Sequence, residues 1–179
     1  ERLATEHDTL WMPEYGREYW ETHQVDRRLT LEQLVEIAEG HLEREDRLLE
    51  RAPGLLFTDT NALTTRLFSL YYHGAVHPRL EVLARAAEHR YHVVLVCDTD
   101  IAYDDTWDRS GDVQRQDFQA RVLADLDARH LPYHLIQGDV EARVRQVHEI
   151  LANARRLTIS GQPPALTAAQ KAKNLIADR

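Results

Sequence analysis

The sequence predicts an α/β domain in which helices flank a mostly parallel β-sheet. Short apolar runs alternate with segments whose apolar residues recur at helical spacing. Residues 91–97 are rich in valine and apolar through their centre, which is typical of a strand buried on both faces of a parallel sheet. Acidic side chains follow several of these runs, at the strand ends where open α/β sheets bind ligands.

Four apolar runs are predicted to form strands: residues 9–12, 55–57, 91–97 and 132–136. Polar groups follow three of them: Glu14 and Arg17, then Asp59, then Asp98 and Asp100. If the strands run parallel, these groups converge on one edge of the sheet. Glu14 and Arg17 are interpreted as forming a pocket for a polar substrate, with a solvated turn and a local ion pair as the alternative.

The helix with the clearest start is predicted to begin after Thr30, because Thr30 and Gln33 form a capping-box pattern. Its apolar stripe consists of Leu31, Leu34, Val35, Ala38, Leu42 and Leu49, and Pro53-Gly54 follows its end. His41 lies on this helix and is interpreted as structural. Later helices are predicted at residues 62–72 (before Gly74), from Pro78 onward, through Phe118, Val122 and Leu126, and at residues 140–151.

Composition limits the class of protein. The chain has 179 residues, 43% of them hydrophobic and 29% charged, which predicts one soluble domain at residues 1–157 with a tail at 158–179. A net charge of −8 argues against a nucleic-acid-binding surface over the whole domain. The single cysteine, Cys97, excludes an internal disulfide and favours a cytoplasmic protein. The sequence shows no membrane-length apolar run and no signal peptide.

Asp59 is the predicted chemical centre. A carboxylate at a strand end can hold Mg²⁺ or accept a proton from a substrate hydroxyl, but such aspartates also cap helices. Arg109 and Arg115 suit phosphate neutralisation, because guanidinium pairs with phosphate through two hydrogen bonds; a solvated helix face is the alternative. Trp107 lies in a polar stretch, which favours a role in ligand binding.

The order of these motifs resembles the kinase domain of the NadR family, the ribosylnicotinamide kinases of bacterial NAD synthesis. The resemblance covers residues 1–155 and rests on Glu14-Tyr15-Gly16-Arg17-Glu18, Thr58-Asp59-Thr60, Thr64-Thr65, Tyr72-His73-Gly74, His77-Pro78, Asp104-Asp105, Arg109, Arg115, Phe118 and Pro132-Tyr133. It implies a three-layer P-loop kinase-like fold. It also implies transfer of the γ-phosphoryl group of ATP, with Mg²⁺, to the ribose 5′-hydroxyl of nicotinamide riboside, giving nicotinamide mononucleotide.

The resemblance also implies roles for single residues. Asp59 and Glu14 would be catalytic, with Asp59 also binding Mg²⁺. Substrate-binding residues would be Arg17, Tyr72 and Asp105, with Trp11, Tyr15 or Trp107 stacking on the nicotinamide ring. Arg109 and Arg115 would belong to a lid over the ATP phosphates. The implied partners are the two small-molecule substrates; a homo-oligomer is compatible, and family members often carry a nicotinamide mononucleotide adenylyltransferase domain upstream.

One departure from the family is large. A P-loop kinase needs G-x-x-x-x-G-K-[ST], and the sequence has none; Lys171 and Lys173 lack the glycine frame. The resemblance implies that the strand before this loop lies at the centre of the sheet, between the strands at residues 55–57 and 91–97. We therefore expect a strand, a phosphate loop and part of a helix to precede Glu1, and the 179 residues alone to be inactive. The alternatives are a kinase for another nucleoside or nucleotide, or a non-catalytic nucleotide-sensing domain.

Overall fold

The computed structural model describes residues 1–23, 28–101 and 112–160. The chain forms two compact units, Glu1–Arg90 and Tyr91–Arg179. The last helix reaches Ser160, three residues beyond the predicted boundary at 157, and residues 161–179 lie outside the described part.

In the described part of the first unit, two parallel strands pair beside five helices. Its elements in order are α1 (Arg2–Glu6), β1 (Leu10–Met12), α2 (Tyr15–His23), α3 (Leu31–Leu49), β2 (Leu56–Thr58), α4 (Ala62–His73) and α5 (Pro78–Ala87). Met12 is the register partner of Thr58, at the last position of each strand. The Asp59 N–H donates to the Met12 carbonyl at 2.9 Å, so the backbone pairing extends one residue beyond β2.

In the second unit strands also alternate with helices, but the described part contains fewer elements. Its elements are β3 (Leu95–Cys97), α6 (Asp112–Ala128), β4 (His134–Ile136) and α7 (Val140–Ser160). β3 and β4 are parallel, with Leu95 opposite His134 and Cys97 opposite Ile136. The α/β class and the parallel strand pairing are therefore confirmed in both units.

The strand predicted at residues 91–97 is shorter and more exposed than expected. Only Leu95–Cys97 is a strand, Leu95 and Val96 are half-buried, and Cys97 is exposed. The pairing begins where the His134 N–H donates to the Val94 carbonyl, because Pro132 has no N–H with which to extend it. Among the described residues β3 pairs with β4 alone, and the exposure of Cys97 shows that the predicted burial on both faces is not reached at the end of the strand.

The local signals for helix ends are confirmed. The Thr30 hydroxyl accepts from the Gln33 N–H at 3.2 Å, and the Gln33 side chain accepts from the Thr30 N–H at 2.9 Å, which completes the capping box. Gly74 ends α4 in the left-handed region with φ of 65°, where a side chain would be strained. Pro78 occupies the first turn of α5, whose N-cap is His77.

The core of the first unit lies on one face of α3. Leu34, Ile37 and Ala38 of α3 are buried against residues of α2 and α5: Tyr19, Leu80 and Leu83. The predicted stripe is correct at Leu34 and Ala38 but wrong at Leu49, which is 47% exposed in the last turn of the helix.

The alternative of a solvated turn at residues 14–18 is wrong, because α2 begins at Tyr15. Tyr19 fixes this helix: it is buried, its ring stacks on His23 at 4.1 Å, and its hydroxyl donates to Glu36 of α3. Burial and the hydrogen bond to Glu36 raise the pKa of Tyr19 to about 12. These contacts stabilise a helix whose sequence begins with Tyr-Gly-Arg and carries no cap signal.

Gly40 lets α2 and α3 approach each other closely. A Cβ atom at Gly40 would lie 2.4 Å from Cε1 of Tyr15. The Tyr15 ring cannot easily move aside, because the Arg44 guanidinium lies 4.1 Å from its centroid and Tyr19 contacts it edge-on at 6.0 Å. A glycine is therefore required at this position of α3 by packing rather than by backbone conformation.

Gly40→Ala should lower the free energy of unfolding. Overpacking costs ~1–3 kcal/mol, which exceeds the gain of about 1 kcal/mol that alanine brings to a helix interior. The matched test is the same change in a Tyr15→Leu background, where the clash is gone and alanine should stabilise. Urea unfolding of the four proteins measures both effects. A stabilising Gly40→Ala in the unaltered background would contradict the packing described here.

Candidate active site

Asp59 lies at the carboxyl end of β2 and is exposed. Its backbone is fixed by the hydrogen bond to Met12, while no partner for its carboxylate is found in the part of the chain that the structure describes. The helix that follows is capped by another residue: the Asn61 side chain accepts from the N–H groups of Leu63 at 2.9 Å and Thr64 at 3.3 Å. Asp59 is therefore not the helix cap, and its carboxylate is available to a ligand.

The backbone beside Asp59 is strained. Thr60 has φ of 63°, a conformation that a β-branched residue rarely adopts. It is the single residue between Asp59 and the cap at Asn61. Such strain persists only where the surroundings fix the backbone, and it is enriched at functional sites. The turn that carries Asp59 is thus held in one conformation by its two ends.

Glu14 and Arg17 follow the neighbouring strand. Because β1 and β2 are parallel and in register at their ends, Glu14 comes to the same edge of the sheet as Asp59. Arg17 lies in the first turn of α2, with Nε 3.9 Å from Oε2 of Glu14, and its side chain is 54% exposed. An exposed pair at this distance contributes little to stability.

The predicted aromatic residues occupy different environments. Trp11 is 37% exposed and lies on β1, close to the strand end. Tyr15 has one ring face covered by Arg44. Tyr72 lies near the end of α4, roughly 15 Å along the helix axis from its start, and stacks on Phe68 with parallel rings 6.0 Å apart. The structure therefore does not bring Tyr72 to the end of α4 that adjoins Asp59.

The predicted lid is described only in part. Asp105, Trp107 and Arg109 lie outside the described residues. Arg115 lies in α6 of the second unit, where it donates to the carbonyls of Thr99 at 2.8 Å and Ile101 at 3.0 Å. In this arrangement Arg115 holds the chain that follows β3.

The strand ends of the second unit form a hydrogen-bonded cluster that the sequence did not reveal. Arg143 donates through Nη2 to the Asp98 carbonyl at 2.9 Å and to the Asp100 carboxylate, and through Nε to the Gly138 carbonyl at 2.7 Å. The Gln137 amide donates to the Asp98 carboxylate at 2.6 Å. The available signal was the position of Arg143 in the first turn of α7, since helical side chains lean toward the N-terminus.

These contacts explain the acidity of Asp100. The Gly138 N–H donates to its carboxylate at 2.5 Å, and this hydrogen bond, together with the charge of Arg143, lowers the pKa of Asp100 below its ordinary value. Asp100 is thus engaged in holding the two strand ends together. Asp98 follows β3 directly, as Asp59 follows β2, and its carboxylate accepts from the Gln137 amide, whereas the Asp59 carboxylate has no such partner among the described residues.

Two further findings concern metals and membranes. The described residues contain no group of three or more His, Cys, Asp or Glu placed to hold a metal ion. A site that relies on one protein carboxylate and on substrate phosphates is still consistent with Asp59, because Mg²⁺ commonly binds that way. No helix in the described ranges is both long and apolar enough to cross a membrane.

Parallel strands between helices, with acidic residues at their carboxyl ends, define an α/β protein. The fold matches two solved structures. The first is NadR protein in complex with NAD and AMP-PNP, with a TM-score of 0.66 and 19% sequence identity, and the match covers 84% of this chain and 44% of that one. The second is NadR protein in complex with NR, with a TM-score of 0.60 and 21% sequence identity, and the match covers 83% of this chain and 45% of that one. The predicted P-loop kinase-like fold is confirmed.

A family model described as "AAA domain" matches residues 1–143, and the chain belongs to this family. It is also similar to two curated relatives, each named "Trifunctional NAD biosynthesis/regulator protein NadR". The one from Escherichia coli (strain K12) is 26% identical over 163 residues, covering 86% of this chain and 39% of the relative. The one from Salmonella typhimurium (strain LT2) is 26% identical over 155 residues, covering 84% of this chain and 37% of the relative. The predicted resemblance to NadR is confirmed, and the chain spans less than half of each relative.

Asp100→Asn should lower the melting temperature at pH 7. A carboxylate with a depressed pKa stabilises the fold above its unfolded pKa of about 3.9, and this contribution is lost as the pH falls through the folded value. The difference between variant and unaltered protein should therefore shrink from pH 7 toward pH 3. Thermal unfolding across this range measures it. Asp117→Asn, which removes an exposed pair with Arg121, is the matched control and should change little. A constant difference at all pH values would contradict the role of the charge.

Proposed function

We propose that the protein phosphorylates the ribose 5′-hydroxyl of nicotinamide riboside, using ATP with Mg²⁺. The observation that carries this proposal is the fold match to NadR proteins in complex with NAD and AMP-PNP and in complex with NR, over 84% and 83% of this chain. AMP-PNP is an analogue of ATP, and NR is the abbreviation of nicotinamide riboside. Together they correspond to the phosphoryl donor and the acceptor of the proposed reaction.

Phosphoryl transfer depends mainly on positioning and on charge stabilisation. In this proposal Asp59 accepts the proton of the attacking hydroxyl or binds Mg²⁺, because its carboxylate is exposed at the strand end. Glu14 lies at the same edge and, with Arg17, binds the hydroxyl groups of the riboside. Bound Mg²⁺ supplies positive charge to the ATP phosphates.

The exposed Trp11 is a better candidate than Tyr15 for contact with the nicotinamide ring. That ring carries a positive charge, which is attracted to an aromatic face. One face of Tyr15 is already occupied by the Arg44 guanidinium, and Gly40 packs against the edge of the ring. Tyr72, Asp105 and Trp107 stay proposals for the riboside pocket, as Arg109 and Arg115 do for the lid.

Two other functions are kept as alternatives. Phosphorylation of a different nucleoside or nucleotide would use the same fold. Nucleotide sensing without catalysis would use the same fold to bind a nucleotide without transferring a phosphoryl group. The cytoplasmic location, the oligomeric state and any fusion to an adenylyltransferase domain also stay predictions.

The test of the function uses the protein expressed from its complete natural reading frame. It is incubated with ATP and Mg²⁺ and with nicotinamide riboside, deoxynucleosides or cytidine, and the phosphorylated products are separated and quantified. We expect nicotinamide mononucleotide as the main product. Activity on deoxynucleosides alone would replace the proposed substrate. Calorimetric binding of ATP and the riboside without any product would favour the sensing function.

Asp59→Asn should lower kcat by roughly 10²-fold or more, because a positioned base or metal ligand contributes about that factor. Glu43→Gln is the matched control: it also neutralises an exposed carboxylate of the first unit, one paired with Arg47 on α3, and should keep normal activity. Steady-state assays with nicotinamide riboside measure both variants. Near-normal turnover of Asp59→Asn would show that Asp59 is neither the base nor a metal ligand.

A further inference from the structure

A buried polar network links α3 to the end of β2. It consists of His41 and Glu45 on α3, Arg90 at the end of the first unit, and Thr58 of β2. His41 is 4% exposed and Glu45 3%. Nε2 of His41 lies 3.2 Å from the Thr58 hydroxyl and 3.4 Å from the Glu45 carboxylate, and Arg90 Nε donates to that carboxylate at 2.6 Å. We call these four residues the His41 network.

The network is not needed to fill the core. Apolar side chains of similar volume commonly stabilise a protein interior as well as buried ion pairs do. Elsewhere α3 presents apolar residues such as Leu34, Ile37 and Ala38 to the core. His41 and Glu45 continue the same buried face one turn later, where α3 lies beside β2. The polar residues therefore occur where the helix meets the strand that carries Asp59.

The chemistry of the network fixes the orientation of His41. Burial alone would lower the pKa of Arg90, but its hydrogen bonds to Asp46 and Glu45 raise it above its usual value, so Arg90 is charged. The Glu45 carboxylate is paired with this cation and acts only as an acceptor. Nε2 of His41 lies within reach of both the Glu45 carboxylate and the Thr58 hydroxyl, and in the tautomer with a hydrogen on Nε2 it donates to the Thr58 hydroxyl.

Thr58 is the last residue of β2, and Asp59 follows it directly. On the other side of Asp59 come Thr60, in its strained conformation, and the cap at Asn61. A strained turn keeps one conformation only when both of its ends are anchored. Asn61 anchors the end at α4, and the contact of His41 with Thr58 anchors the end at β2.

We infer that His41 is a positioning residue for Asp59, acting through Thr58. It touches no substrate in this role; it fixes the end of the strand from which the carboxylate projects. The inference rests on the proposed function, because Asp59 is the catalytic group of that proposal. A misplacement of about 1 Å at a reacting group is enough to slow catalysis severely.

The central comparison is between His41→Leu and His41→Gln in the complete natural protein. Glutamine keeps an N–H donor near the position of Nε2, whereas leucine keeps similar volume without a donor. We expect His41→Leu to lower kcat for nicotinamide riboside about tenfold with KM for both substrates unchanged, and His41→Gln to restore most of the loss. Thr58→Val should resemble His41→Leu, and the double variant should lose no more than either single one.

A second readout does not depend on catalysis. The Asp59 N–H is bound to the Met12 carbonyl, so its hydrogen exchange reports whether the strand end is held. Exchange at Asp59 should be faster in His41→Leu and normal in His41→Gln. Ser69→Ala is the matched control: it removes a fully buried hydroxyl that donates to the Ala75 carbonyl at 2.7 Å, and should lower the melting temperature without changing kcat or exchange at Asp59.

The possible outcomes are separable. If His41→Leu lowers the melting temperature but leaves kcat and exchange at Asp59 as in Ser69→Ala, His41 only fills the core and the inference is overturned. If the unaltered protein phosphorylates no nucleoside, the proposed function fails, and exchange at Asp59 decides the positioning role by itself.

Discussion

The parallel register of β1 with β2 is the constraint on which the candidate site depends. Met12 and Thr58 are paired at the last position of each strand, and the Asp59 N–H binds the Met12 carbonyl beyond them. Because both strands end at the same level, the side chains that follow them emerge at one edge. Glu14 and Asp59 share this edge for that reason, although 44 residues of chain lie between the two positions.

The helix α3 serves two purposes along its length. Its first half presents apolar side chains to α2 and α5 and forms the core of the first unit. Its second half presents His41 and Glu45 toward β2, where a hydrogen-bonded network replaces apolar packing. Dispersion contacts hold a helix in place with little directional preference, whereas a hydrogen bond fixes both distance and angle. The directional contacts occur beside Asp59, where the proposed chemistry needs a fixed geometry.

The two units use acidic strand ends differently. In the second unit Arg143 and the Gly138 N–H bind the Asp100 carboxylate. This carboxylate therefore links the segments that follow β3 and β4 to α7. In the first unit the Asp59 carboxylate is exposed, and the capping task is taken by Asn61. An acidic residue after a strand is therefore insufficient to define a site. What distinguishes the two aspartates is whether neighbouring donors satisfy the carboxylate.

The sequence by itself determined the features that depend on neighbours in the chain. The capping box at Thr30, the left-handed Gly74 and the order of strands and helices follow from local backbone chemistry, and they were predictable for that reason. Only the tertiary structure decided the features that depend on distant residues. The helix α2 forms because Tyr19 packs against α3. His41 contacts β2 because α3 and β2, which are separate in the chain, lie side by side in the fold. Such contacts join residues 17 apart in the chain, and no local rule encodes which partners meet.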